Sequence, residues 1–123
     1  MYNLDEIKLE KCISLETYRE NNQPVRTPVW FVVKDNLIYV VTRHKTGKVK
    51  RLQKNLQVKF ALCTMKGKII GEWASGTAKI LTESQTNEAV KWRDKKYGFM
   101  AKIAKFVSKN KGDFFAFAIK VNQ

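Results

Sequence analysis

Between Gln23 and Cys63 the chain reads QPVRTPVWFVVKDNLIYVVTRHKTGKVKRLQKNLQVKFALC, and no other stretch restricts the fold as much. Apolar and polar residues alternate on both sides of Asp35-Asn36, the pattern of two strands joined by a tight turn. A short basic segment, Arg43 to Lys54, follows, and then another strand. Lys, Arg, Thr and Gly placed where a short helix begins form a good anion site. The unpaired N–H groups of a helix start and the flanking cations both favour a phosphate there.

The same alternation marks strands at Lys11–Arg19, Val25–Val33, Leu37–Thr42, Val58–Met65, Ile69–Leu81 and Phe114–Val121. Asn21-Asn22 signals a turn, because Asn tolerates a left-handed backbone. Pro28 has no N–H to donate, so it marks a sheet edge, a bulge or a ligand-facing position. Gly71 and Gly76 are expected to bend the long Ile69–Leu81 segment. Residues Leu4 to Leu9 suit a short helical lead-in. Thr46 to Asn55 reads as a short helix with Val49 and Leu52 inward and Lys48, Lys50, Arg51 and Lys54 wet or meeting a ligand. Thr82 to Lys96 reads as a helix whose apolar face holds Ala89, Val90 and Trp92, with Tyr97 beyond and Gly98 ending it. Phe99, Met100, Ile103, Phe106 and Val107 make a second helical stripe. The sum is about six antiparallel strands with short helices, and a small β-barrel is the economical closure because it removes exposed edges.

The chain has 123 residues, which suits a single domain over 1–123 with one core. Its longest apolar run, Val29 to Val33, is far too short to span a bilayer. The N-terminus carries acids and no secretion core, so cytoplasm is the expected compartment and no membrane partner is expected. Two cysteines, Cys12 and Cys63, are too few for a disulfide scaffold and read as reduced, partly buried thiols. With one histidine, no four-ligand zinc site of cysteine and histidine can be assembled, and no metal is expected. The formal charge of +13 suits nucleic acid or a polyanionic cofactor equally.

Several chemistries are disfavoured. The phosphate loop of nucleotide triphosphatases needs a glycine where Thr42 stands. His44 lacks an orienting carboxylate and sits among bases, so it reads as a surface residue. Asp94 and Asp113 look structural, and no Ser–His–Asp or Cys–His set can be built. Trp30, Phe31, Phe60, Phe114, Phe115 and Phe117 read as core. Trp92, Tyr97, Phe99 and Phe106 suit core, a dimer seam or a substrate wall. The Lys91–Lys111 bases suit a solvated face or an acidic partner.

The order strand, R-T-P-V-W-F, hairpin, Y-V-V-T, T-G-K-V-K-R-L, strand resembles the split β-barrel flavin-binding proteins, relatives of pyridoxamine 5′-phosphate oxidase. Within them the chain is most similar to the small deazaflavin (coenzyme F420)-dependent oxidoreductases. G-E-W-A-S-G-T-A-K-I and K-Y-G fit the same pattern, and the resemblance covers Lys11 to Val121. It implies a six-stranded antiparallel split barrel of the FMN-binding type, pairing as a homodimer with the cofactor, FMN or F420, between subunits. By motif, Arg26, Thr27, Pro28 and Val29 line the ring, and Val41 and Thr42 approach the ribityl chain. Thr46, Lys48, Val49, Lys50 and Arg51 hold the phosphate, with Lys48 and Arg51 as direct charge contacts. Cys63 lies near the ring, and Trp73 covers it from the partner subunit. The polyglutamate tail of the deazaflavin would suit the Lys91–Lys111 bases. The classical oxidase has a longer C-terminal segment that reads its substrate. Because this chain stops at Gln123, the resemblance argues against vitamin B6 oxidation.

The resulting expectation is an oxidoreductase moving hydride between FMN or F420 and a small, planar, apolar organic substrate. Two alternatives stand beside it. One is a flavin or deazaflavin carrier without turnover. The other is a nucleic-acid-binding small barrel, disfavoured because the strand aromatics alternate inward and form no stacking platform.

Overall fold

A computed structural model of the protein describes residues 3–43, 47–98 and 114–122. His44, Thr46, the Phe99–Val107 stripe, the Lys111-Gly112-Asp113 turn and the C-terminal half of the Lys91–Lys111 bases lie outside those residues. After a single 3-10 turn at Leu4–Glu6, the elements run β1 (Ile13–Tyr18), β2 (Pro24–Val29), β3 (Val32–Lys34), β4 (Leu37–Arg43), α1 (Gly47–Lys54), β5 (Gln57–Leu62), β6 (Ala74–Ile80), α2 (Glu83–Tyr97) and β7 (Phe114–Val121). The seven strands form one antiparallel, curled half-barrel sheet in the order β2-β1-β5-β6-β7-β4-β3.

The turn residues do what their chemistry allows. Asp35 and Asn36 both take positive φ, 52° and 64°, as a two-residue hairpin turn with right-handed twist requires. Asn22 turns the chain with φ 66°. Pro28 sits on β2, an edge strand of the sheet, where its missing N–H costs no ladder bond. Thr82 caps α2 with a reciprocal box: its hydroxyl accepts from the Gln85 N–H, and the Gln85 side chain accepts from the Thr82 N–H.

One strand expected from the alternation is two. Val25–Val33 breaks at Trp30 and Phe31, and the chain passes from β2 at one sheet edge to β3 at the other. Phe31 can leave the ladder because α2 satisfies its backbone. The Phe31 N–H donates to the Tyr97 hydroxyl at 3.0 Å, and Lys96 Nζ donates to the Phe31 carbonyl at 2.8 Å. The Tyr97 hydroxyl donates onward to the Lys11 carbonyl at 2.7 Å, and Trp30 stacks on the Tyr97 ring at 4.3 Å. Ile69–Leu81 is also shorter than its pattern: only a bridge at Cys63 and Ile69 precedes β6.

Ile13, Leu15, Ile38, Val40, Leu52, Phe60, Phe117 and Ile119 are fully buried and fill the curl of the sheet. From α1, Val49 and Leu52 reach the same core. The buried face of α2 is Thr86, Ala89, Arg93 and Tyr97, whereas Val90 and Trp92 are half-buried. Arg93 was not expected inside. Its guanidinium lies 4.8 Å from the Phe114 ring and contacts Asp94 Oδ1 at 3.2 Å, so ring and carboxylate offset its desolvation. Among the described residues, no helix is long and apolar enough to cross a membrane.

Gly76 shows how tightly β6 lies on β7. A Cβ there would meet Ile119 Cγ2 at 2.5 Å and the Lys120 carbonyl oxygen at 3.0 Å. Neither a buried isoleucine nor a backbone oxygen can yield cheaply. Gly76→Ala is therefore expected to lose about 1–3 kcal/mol in urea denaturation. An unchanged midpoint would mean the β6–β7 seam is looser than its geometry.

Candidate functional site

The basic segment after β4 forms α1, and α1 docks against the end of β1. Arg51, on the turn next to Gly47, reaches across so that its Nε donates to Thr17 Oγ1 at 2.6 Å. Its guanidinium folds back over the helix start: a Cβ on Gly47 would lie 2.7 Å from Arg51 Nη1. A larger residue there would require the Arg51 guanidinium to move aside. Between α1 and β1 opens a cleft of about 340 Å³ lined by Tyr18, Arg19, Glu20, Gly47, Lys50, Arg51, Gln53 and Lys54.

The charges here are unbalanced. Glu20, the one carboxylate in the lining, is paired with Lys54. Burial, then the Lys48-facing Arg51 charge, lowers the Lys48 ammonium pKa from its ordinary value. Burial, then the Arg19 charge, lowers the Arg51 pKa. Among the described residues the charged groups acting on these two are cations, so an anion entering the corner would relieve repulsion as well as gain contacts. The first N–H groups of α1, Gly47 to Lys50, are donors that a helix leaves without partners inside itself. The Val49 side chain is in the core, so that residue offers a ligand only its backbone.

A second group of residues lies on the opposite face of β1. Successive strand residues point to opposite sides, so Thr17 faces α1 while Glu16 faces away. Arg26, directly opposite Glu16 in the β1–β2 register, pairs with its carboxylate at 2.9 Å. The Tyr18 hydroxyl donates to the same carboxylate at 2.6 Å. Above them the Arg26 guanidinium lies 4.5 Å from the Trp73 ring of its own chain. Burial alone would raise the Glu16 pKa, but hydrogen bonds from Tyr18 and Arg26 and the charges of Arg26 and Lys59 outweigh it and hold it low. Burial and the hydrogen bond to Glu16 push Tyr18 up to about 12.

The thirteen residues expected at a cofactor site thus divide. Gly47 and the expected Lys48, Lys50 and Arg51 share the α1 corner. Arg26 and Trp73 share the outer face of β1 and β2, with Pro28 exposed on that same face of β2. Thr27 faces inward, and its buried Oγ1 has no hydrogen-bond partner among the described residues. Val29 is core. Val41 and Thr42 are half-buried on β4 opposite Ala116 and Phe115 of β7. Cys63 is buried past the end of β5. Thr46 lies outside the described residues. The Gly47–Arg51 cradle and the clustered Lys48, Lys50, Arg51 and Arg19 charges of the α1 corner fit a ligand carrying a phosphate.

Sequence reasoning missed Glu16, Tyr18, Arg19 and Glu20 as site residues, whereas Lys54, expected to be wet or to meet a ligand, does line the cleft. For Glu16 the signal was one residue out: counting outward from Asn21-Asn22 sets it opposite Thr27, whereas the register, with Tyr18 opposite Pro24, sets it opposite Arg26. For Arg19 there was none, because only the docking of α1 on β1 brings it to the helix.

Residues 4–123 match the family model described as pyridoxamine 5′-phosphate oxidase. No curated protein matches the sequence. Among solved structures, the chain is similar to the heme storage protein HutZ of Vibrio cholerae, at 16% identity and TM-score 0.74, covering 98% of this chain and 88% of that one. A structure named F420 reductase matches at 14% identity and TM-score 0.67, over 96% of this chain and 93% of that one. A heme binding protein from Mycobacterium smegmatis matches at 12% identity and TM-score 0.66, over 91% of this chain and 46% of that one. At these identities the likeness is one of fold.

The Glu16–Arg26 pair yields a pH prediction. A carboxyl with a depressed folded pKa contributes stability above its unfolded pKa of about 4.3 and loses it as pH falls through the lower folded value. Glu16→Gln is expected to be about 1–2 kcal/mol less stable at neutral pH, with the difference vanishing in acid. Urea denaturation across a pH series measures this, and parallel profiles would mean the pair contributes nothing.

Proposed function

The chain belongs to the pyridoxamine 5′-phosphate oxidase family, and on that premise we propose an oxidoreductase that binds a phosphorylated flavin or deazaflavin, FMN or coenzyme F420, and serves hydride transfer to or from a small, planar, apolar organic substrate. The observation that carries the reading is the cation corner at the start of α1. There the Arg51 charge acts on Lys48 and the Arg19 charge on Arg51, so the corner gathers like charges.

When bound, the ring supplies the hydride chemistry. The protein's part is to bind, orient and exclude water. Arg51 is held by Thr17, so its guanidinium meets a phosphate already oriented and loses little side-chain freedom on binding. Lys48 adds a point charge and the helix start adds N–H donors. Thr27 offers a hydroxyl that has no hydrogen-bond partner among the described residues. Arg26 is fixed by Glu16 and Trp73 on the far side of β1. One copy therefore presents its candidate residues on two faces, which fits a groove completed by a second copy.

The test is binding of FMN, riboflavin, F420 and hemin to the purified chain, read by fluorescence quenching or absorbance. FMN or F420 is expected to bind, and riboflavin, which lacks the phosphate, to bind at least about tenfold more weakly than FMN. Lys48→Ala with Arg51→Ala is expected to weaken FMN by about 3–6 kcal/mol, two charge-assisted bonds of about 1.5–3 each. Equal affinity for FMN and riboflavin, or an unaffected double variant, would move the phosphate away from α1. Binding of hemin alone would overturn the flavin reading. Reduced cofactor mixed with a panel of quinones and enones then reads turnover, and none at all would leave a carrier.

A further inference from the structure

The antiparallel register of β1 and β5 continues one pair beyond the strands. Ile13 faces Leu62, and the next pair outward is Cys12 opposite Cys63, joined by a hydrogen bond from the Cys63 N–H to the Cys12 carbonyl at 3.2 Å. Residues directly opposite in a sheet share a face. Both thiols are buried, at 4% and 5% exposure, and neither is in a disulfide.

A third sulfur joins them. Just after Cys63 the chain turns tightly, with the Gly67 N–H bonded to the Thr64 carbonyl and the Thr64 N–H to the Lys68 carbonyl, both at 2.8 Å. Met65 sits at the head of that turn, two residues from Cys63. Its Sδ accepts from Cys12 Sγ at 3.2 Å. Met65 is about half exposed, so the cluster is open to solvent through one member.

A cation stands beside the sulfurs. Lys96 is anchored on the Phe31 carbonyl at 2.8 Å, and its charge acts on Cys12. Glu10 also acts on Lys96, and the Cys12 charge acts on Cys63. Burial raises both thiol pKa values and lowers that of Lys96 to about 8. Two thiolates alone would be costly in such a place. Two thiolates around a monovalent cation carry a single net negative charge, and an ammonium alongside offsets it.

We infer that Cys12, Cys63 and Met65 form a binding site for a soft monovalent metal ion, copper(I). Thiolate and thioether donors select that ion over harder ones. Structural zinc needs four ligands drawn from thiolate, imidazole and carboxylate, and this corner offers two thiolates and a thioether. Among the described residues, no group of three His, Cys, Asp or Glu is placed to hold a metal. On binding, both thiol protons pass to solvent, two copper–thiolate bonds and one copper–thioether bond form, and the metal stays copper(I) with no electron transferred. The inference is independent of the flavin reading, since none of its observations involves the α1 corner.

The experiment is an anaerobic titration of the reduced full chain with copper(I) held by the coloured chelator bathocuproine disulfonate. The chain is expected to withdraw one equivalent, seen as loss of the chelate colour. Cys12→Ser and Cys63→Ala are expected to lose that capacity. Met65→Leu, at a half-exposed turn where the fold tolerates the change, is expected to return the copper to the chelator. Full retention by Met65→Leu, or no withdrawal by the wild type, overturns the site. So does a wild type that retains no copper but, on mild peroxide treatment, loses both thiols and two mass units, because the pair is then a disulfide-forming dithiol.

Discussion

Strand β1 is buried on both faces, and each part of the molecule with chemical interest hangs from one of its residues. Ile13, Leu15 and Thr17 face the core at no measurable exposure, while Ser14 and Glu16 are buried on the other side. A strand of this kind has no solvent face to spare for polar residues, so each must find a partner. Thr17 takes Arg51, Glu16 takes Arg26 and Tyr18, and Cys12, just before the strand, meets Met65. A one-residue slip of β1 would exchange the two faces and separate all of these pairs at once.

The second dependence is Phe31. The sheet places β2 and β3 at opposite edges although only two residues separate them. Such a crossing exposes a backbone N–H and carbonyl that no strand can reach, in a residue 1% exposed. Left unmet, each would cost about 1–3 kcal/mol. Tyr97 and Lys96, adjacent at the end of α2, meet both. The same Lys96 then lies beside Cys12, so the clasp that allows the crossing also supplies the cation next to the sulfurs.

What was legible in the sequence was local. The Asp35-Asn36 turn, the Val49 and Leu52 pair of α1, the ends of β7 and the stop at Gly98 follow from side-chain chemistry within a few residues. The break at Trp30 and Phe31 was not, because its cause, Tyr97, lies 66 residues away. Nor was the burial of Arg93, which depends on the Phe114 ring. The α1 segment was readable as an anion site from composition, but its partners Thr17 and Arg19 come from another strand. The sulfur corner escaped because metal sites are counted in cysteine and histidine, and a thioether completes this one.

The cation corner links ligand binding to folding. Docking α1 on β1 brings Lys48, Arg51 and Arg19 together against their mutual repulsion, a cost that the packing of Val49 and Leu52 must offset. An anion that binds the docked helix and not the unfolded chain adds stability in proportion to the logarithm of its concentration over its dissociation constant. Occupancy then strengthens the docking that creates the site. The β1–β2 edge of the sheet needs no such help, since its Glu16–Arg26 pair is already neutral. The α1 end is the part of the fold whose stability a ligand can set, and salt, by screening the same charges, weakens both the repulsion and the ligand's grip.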